Sequence, residues 1–206
     1  QVQLMVFDLD GTLAATGEDL AVSVNYALSA QGLPCLSTDR VIGFVGDGLR
    51  ELMVRALGPG EEWRLDASLA LFAEHHDLHL LDHTALYPGV LTSLDFFREK
   101  KKVVLTNKRW RFADKILRSL GIEGYFDAVI GVDCHPYMKP DARLIPPLLE
   151  RFATTPERTV MVGDGRNDVL LAKYTGLVSC AYLGGLTDPR VLLALGPDYV
   201  IQSMSE

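Results

Sequence analysis

From Gly89 onward, short apolar runs alternate with helical stretches, and this alternation constrains the fold more than any other feature of the chain. Lys102–Thr106 (KVVLT), Ala128–Val132, Thr159–Gly163 (TVMVG), Val178–Leu183 and Tyr199–Ile201 have the length and the β-branched content of strands. Gly89–Lys101, Phe112–Leu120, Asp141–Phe152, Asp168–Tyr174 and Pro189–Leu195 carry apolar residues at helical spacing. A repeated strand–helix–strand pattern predicts an α/β fold, a doubly wound, mainly parallel Rossmann-like sheet with right-handed crossovers.

One more strand stands apart near the start of the chain, in Gln3–Leu13 (QLMVFDLDGTL). Its near-continuous apolar run predicts burial on both faces, as in a sheet covered by helices. Asp8 and Asp10 close it, and an open α/β sheet binds ligands outside the carboxyl ends of its strands. Two neighbouring carboxylates repel unless a cation lies between them or one holds a proton. That suits a hard, oxygen-coordinated ion such as Mg²⁺, together with a nucleophile and an acid/base group. A turn whose aspartates cap the next segment is an equal alternative on these residues alone.

Residues 15–85 read as an all-helical, strand-free block inserted after that first strand. Gly43–Gly48 (GFVGDG) precedes a helix over Leu49–Leu57, and its amides, with Arg50 one turn in, offer an anion a helix N-terminus. A plain turn between two helices accounts for the same glycines. Glu61–Leu81 reads as one long helix carrying His75, His76 and His79, with His83 beyond it. His75, His79 and His83 would share a face if the helix ran on, but no HExxH spacing or cysteine supports a metal site. A solvated or partly packed face is the better reading.

Functional residue types recur at the strand ends of the second half. KVVLT runs into Asn107-Lys108, TVMVG into Asp164-Gly165-Arg166-Asn167-Asp168, and the loop after Val132 leads to Lys139-Pro140. Four carboxylates, a lysine and a threonine so placed outline a metal–phosphate site. The formal charge of −7 argues against non-specific nucleic-acid binding, so an anionic substrate needs local positive charge or a metal. No apolar stretch is long enough to span a membrane. The opening run is short and carries two aspartates, unlike a secretory leader. Cys35, Cys134 and Cys180 lie far apart without CxxC spacing, so reduced, buried thiols in a cytoplasmic protein are expected.

The whole arrangement resembles the haloacid dehalogenase-like superfamily, over essentially the full chain. Asp8–Thr12 (DLDGT), Thr106, Lys139 and Gly163–Asp168 (GDGRND) are similar to its four motifs in order. Residues 15–85 resemble the cap inserted after the first motif, leaving 1–14 and 86–206 as the catalytic core. DLAVSVNYAL, GFVGDGLRELMVRAL, LLDHTALYPGV and LTNK resemble the bacterial phosphoglycolate phosphatases of that superfamily. Two departures stand out: Ala15-Thr16 replaces the usual Asp-Ser, and KPxP becomes Lys139-Pro140-Asp141-Ala142.

The resemblance implies a Mg²⁺-dependent phosphomonoesterase working through an aspartyl-phosphate, acting on 2-phosphoglycolate as a monomer or homodimer. Asp8 would be the nucleophile and Asp10 the acid/base. Asp8, the Asp10 carbonyl and Asp164 would hold Mg²⁺, with Asp168 holding its waters or orienting Lys139. Thr106 and the Asn107 amide would bind phosphoryl oxygens, and Lys139 would offset charge. In the cap, Gly46, Gly48 and Arg50 are the candidates for substrate recognition, Arg50 through a bidentate pair with a carboxylate. Pyrophosphatase, sugar phosphatase and β-phosphoglucomutase share this core and a helical cap. A phosphonatase needs a cap lysine, and residues 15–85 contain none. A non-catalytic binding module would be expected to have lost one of these groups.

Overall fold

The computed structural model describes residues 1–206. In chain order, β1 (Leu4–Phe7) and β2 (Ala14–Ala15) precede the helices α1 (Gly17–Ser29), α2 (Thr38–Ile42), α3 (Gly48–Leu57) and α4 (Leu65–His79). Then come β3 (Ala85–Leu86), α5 (Val90–Phe96), β4 (Lys101–Leu105), α6 (Trp110–Ser119), β5 (Ala128–Ile130) and α7 (Ile145–Arg151). The chain finishes with β6 (Thr159–Gly163), α8 (Arg166–Thr175), β7 (Val178–Tyr182), α9 (Pro189–Ala194) and β8 (Tyr199–Ile201).

Six strands form one sheet in the order β5-β4-β1-β6-β7-β8, every neighbouring pair parallel, as the alternation predicts. β1 is central, with Phe7 opposite Val104 on one side and Val162 on the other. Its apolar run exists because both of its faces are covered. Met5 and Phe7 pack with Phe112, Ile116 and Leu117 of α6. Leu4 and Val6 point the other way, onto Ile145 and Leu148 of α7 and Leu171 of α8. Each such fully buried side chain contributes about 1.5–3 kcal/mol, so a charge anywhere in β1 would be hard to accommodate. The charges begin only where the strand ends.

Helices α1–α4 gather around a separate core of Leu20, Val24, Val41, Met53 and Phe72. Ser37 caps α2 by accepting from the Arg40 amide. The chain leaves and re-enters the sheet through a two-residue antiparallel pairing, Ala14 opposite Leu86 and Ala15 opposite Ala85. The block expected to be free of strand is therefore bounded by one, which satisfies the backbone of both crossings. Buried Asp19 of α1 ties the returning segment down, accepting from the amides of His83 and Thr84 and from the Thr84 hydroxyl.

Three expected helices are shorter than their periodicity. α5 ends at Phe96, and Lys101, where the helix was expected to end, opens β4. A 3₁₀ turn at Glu62–Arg64 precedes α4, which ends at His79. His83 thus leaves the helix face and pairs with Asp19 at 2.8 Å, while His75 and His79 stack on each other. The three do not converge on a metal position. Pro146 and Pro147 delay α7 to Ile145 because proline fits only a helix's first turn. No helix is long and apolar enough to cross a membrane.

Candidate active site

The loops after β1, β4 and β6 and the segment carrying Lys139 meet at the carboxyl edge of the sheet. Asp8, Asp164 and Asp168 offer carboxylate oxygens that all lie within 4.8 Å of one another. Gly11, with φ +82°, permits this approach. A Cβ there would stand 2.1 Å from an Asp164 oxygen. Thr12 fastens the same two loops, donating to Asp164 Oδ1 at 2.7 Å and accepting from the Asp164 amide at 2.9 Å. The Leu186 amide donates to the other Asp164 oxygen at 2.8 Å.

Lys139 is buried, with its ammonium 2.9 Å from Asp8 and 2.6 Å from Asp168. Burial alone would lower its pKa, but Asp168 and Asp8 outweigh that and hold it above the ordinary lysine value. Asp168 also accepts from the Gly165 amide at the start of α8. Burial pushes its carboxyl up to about 7 against the pull of Lys139. Asp164 has no cationic partner, and burial, then the charge of Asp8, push it up to about 7 as well. Three carboxylates share one lysine, so the cluster is short of positive charge.

Asp10 lies on the other side of the strand end. Its carboxylate accepts from the Thr16 hydroxyl at 2.6 Å and from Lys108 Nζ at 3.0 and 3.3 Å. Thr106 is buried and lines the same cavity as Asp8, Asp10 and Asp164. The Asn107 side chain faces elsewhere: it accepts from the Lys139 amide and donates to the carbonyls of Lys139 and Gly46. It positions the lysine and the glycine-rich loop, which leaves its backbone N–H for a phosphoryl oxygen.

The cap candidates divide. Gly46 and Gly48 line the cavity, and the Gly46 carbonyl receives both Asn107 and Asn167. Arg50 does not line it. One residue past Leu49, which does, Arg50 is turned about 100° round α3 and stands in solvent. The cations that reach the cavity are Lys108 and Arg109, from the end of β4. Sequence reading named Lys108 only as part of a strand end and gave no role to Thr12, Thr16, His76 or Arg109. A lysine two residues past a strand-end threonine was the available signal. His76 gave none, because its neighbours in space come from α1 and α6.

A parallel α/β sheet with acidic loops, one buried lysine and a helical lid defines a class of phosphate-handling hydrolases. Residues 5–182 match the haloacid dehalogenase-like hydrolases, and the chain belongs to that family. It is 35% identical to a phosphoglycolate phosphatase of Vibrio parahaemolyticus, covering 100% of this chain and 94% of that protein. Identity is also 35% to phosphoglycolate phosphatase 1 of Pseudomonas aeruginosa, over 99% of this chain and 78% of the relative. A crystal structure of a predicted phosphoglycolate phosphatase from Haemophilus somnus 129pt superposes with a TM-score of 0.94 at 27% identity, covering 99% and 95% of the two chains. The chain is an enzyme of the phosphatase type within this family.

Phosphatases of this family generally use Mg²⁺, and the residues here fit it. The donors of the cluster are hard carboxylate oxygens, three of them converge, and the raised protonation of Asp164 and Asp168 marks a site that a divalent cation would relieve.

Proposed function

We propose that the chain is a cytoplasmic, Mg²⁺-dependent phosphomonoesterase whose substrate is 2-phosphoglycolate, with residues 1–14 and 86–206 as core and 15–85 as cap. The observation that carries this is the convergence of Asp8, Asp164, Asp168 and Lys139 from separate loops on one point. The names of the relatives support the substrate, and so does size. The cavity is small, about 70 Å³, which suits a small ester.

Asp8 attacks phosphorus in line, forming the aspartyl-phosphate as the bond to the alkoxide breaks. Asp10 gives its proton to the departing alkoxide, then takes one from the water that hydrolyses the acyl phosphate. Lys139 holds Asp8 in place and offsets the charge of carboxylate and phosphate together. Thr106 and the Asn107 backbone N–H bind phosphoryl oxygens. Asp8, the Asp10 carbonyl and Asp164 would hold Mg²⁺, with Asp168 orienting Lys139, and the ion would stabilise the charge gathering on the phosphoryl group.

The test is a panel of phosphoglycolate, pyrophosphate, sugar phosphates and nucleotides, with Mg²⁺ and with chelator. Highest kcat/KM on phosphoglycolate, lost without metal, is the expected result. A preference for pyrophosphate or a sugar phosphate would overturn the substrate, and metal-independent turnover would overturn the mechanism. Because Arg50 stands away from the cavity, Arg50→Ala should leave KM for phosphoglycolate within about twofold, as exposed charges usually contribute little. A tenfold rise would return Arg50 to the binding site.

A further inference from the structure

Asp8 and Thr106 account for the phosphate side of the cavity, but another part of its lining has no role so far. There α4 presents His76, 1% exposed, and its Nε2 has no partner in hydrogen-bonding geometry. No other buried side-chain nitrogen or oxygen of the chain is left so. The Asp19 carbonyl is near enough to favour the protonated ring slightly, yet not placed to bond it. Phe72 and Phe112 clamp the ring at centroid distances of 4.8 and 5.1 Å, so it cannot turn away. The Ser23 hydroxyl lies 3.0 Å from Nδ1 and 3.2 Å from His75 Nδ1. In the tautomer that accepts from Ser23 at Nδ1, Nε2–H is a donor on a ring that lines the cavity. Burial first, then the charge of Lys108, push the His76 pKa down to about 2, so the ring is neutral.

Lys108 comes to the same cavity from the end of β4, almost fully buried, with Asp10 as its only carboxylate partner. A buried donor without an acceptor is costly, and a buried ammonium shared with a reacting group is free to change partners. We propose that His76 and Lys108 form a subsite for a second anionic group of the substrate, a carboxylate held close to the phosphate, with Nε2–H donating to one oxygen and the Lys108 ammonium pairing with the other. The inference rests on the phosphatase reading above and adds the residues that choose among small phosphomonoesters.

The experiment compares kcat/KM for 2-phosphoglycolate and ethyl phosphate, with Mg²⁺, in the wild type and in His76→Phe, His76→Gln and Lys108→Met. The wild type should prefer the acid. His76→Phe should cut that preference about tenfold, the usual scale of a hydrogen bond to a charged group. His76→Gln, which keeps a donor, should retain most of it, and Lys108→Met should lower it on the order of a hundredfold. An independent readout is the ¹⁵N signal of His76 Nε2 in Asp8→Asn protein, which should shift with phosphoglycolate and not with ethyl phosphate. A preference unmoved in both His76→Phe and Lys108→Met, or a His76 signal indifferent to phosphoglycolate, overturns the subsite. Hydrolysis of neither ester by the wild type would instead count against the phosphatase reading, and the His76 titration would still decide the subsite. Should His76→Phe fail to fold, Lys108→Met and the titration carry the test.

Discussion

Asp8→Asn should abolish hydrolysis, by roughly 10⁴-fold or more, in a protein that still folds. Asparagine keeps the volume of the side chain and an oxygen to accept from the Leu9 amide at 2.7 Å and Lys139 at 2.9 Å. What it removes is the charge and the nucleophilic oxygen, and the buried Lys139 keeps Asp168 as its charged partner at 2.6 Å. The ion pair lost at Lys139 is offset by relief of the repulsion on Asp164, whose carboxyl is raised by burial and then by Asp8, so the metal-free chain should still fold. The measurement pairs kcat with a thermal melt. Turnover above about one per cent of wild type would remove Asp8 from the role of nucleophile.

Measured against Asp164→Asn, metal-free protein should lose stability as the pH rises from about 4 to about 7, on the order of a few kcal/mol, a comparison that cancels the opposite slope of the buried, neutral His76. The cause is Asp164, buried and lacking a cation, whose carboxyl titrates near 7 in the fold against about 4 when unfolded. Between those values the folded state binds the extra proton, so each increment of pH favours unfolding. Mg²⁺ competes with that proton, so it should raise the melting temperature strongly at pH 7 and little at pH 5. Melts of wild type and Asp164→Asn, with chelator and with Mg²⁺ across this range, are the check, and the gap between the two chelator profiles should shift against the wild type as the pH rises. A gap that stays constant between about pH 4 and 7 without metal would contradict the account.

The sheet was legible in the sequence because a parallel strand buried on both faces has to be apolar throughout, and each run from Leu4–Phe7 to Val178–Tyr182 is nearly so. The acidic cluster was legible for a related reason. Asp8, Asp164 and the Lys139 segment follow strands or loops whose order the alternation dictates, and strand ends of one sheet lie side by side. The cap was harder to read. Its helices are positioned by a small core of their own, and which side of α3 or α4 meets the cavity depends on how that unit docks. Hence Arg50, plausible by its place beside a glycine-rich loop, stands in solvent, while His76, one of three similar histidines in α4, is the one that turns inward. The end of α4 at His79, which takes His83 off the shared face, left no mark in the periodicity either.

Asn107 holds the main chain of Lys139 through its amide and its carboxamide oxygen, and holds the glycine-rich loop of α3 through the same amide. One carboxamide therefore ties the loop ahead of α3 to the backbone that carries Lys139, so displacing either segment breaks bonds that hold the other.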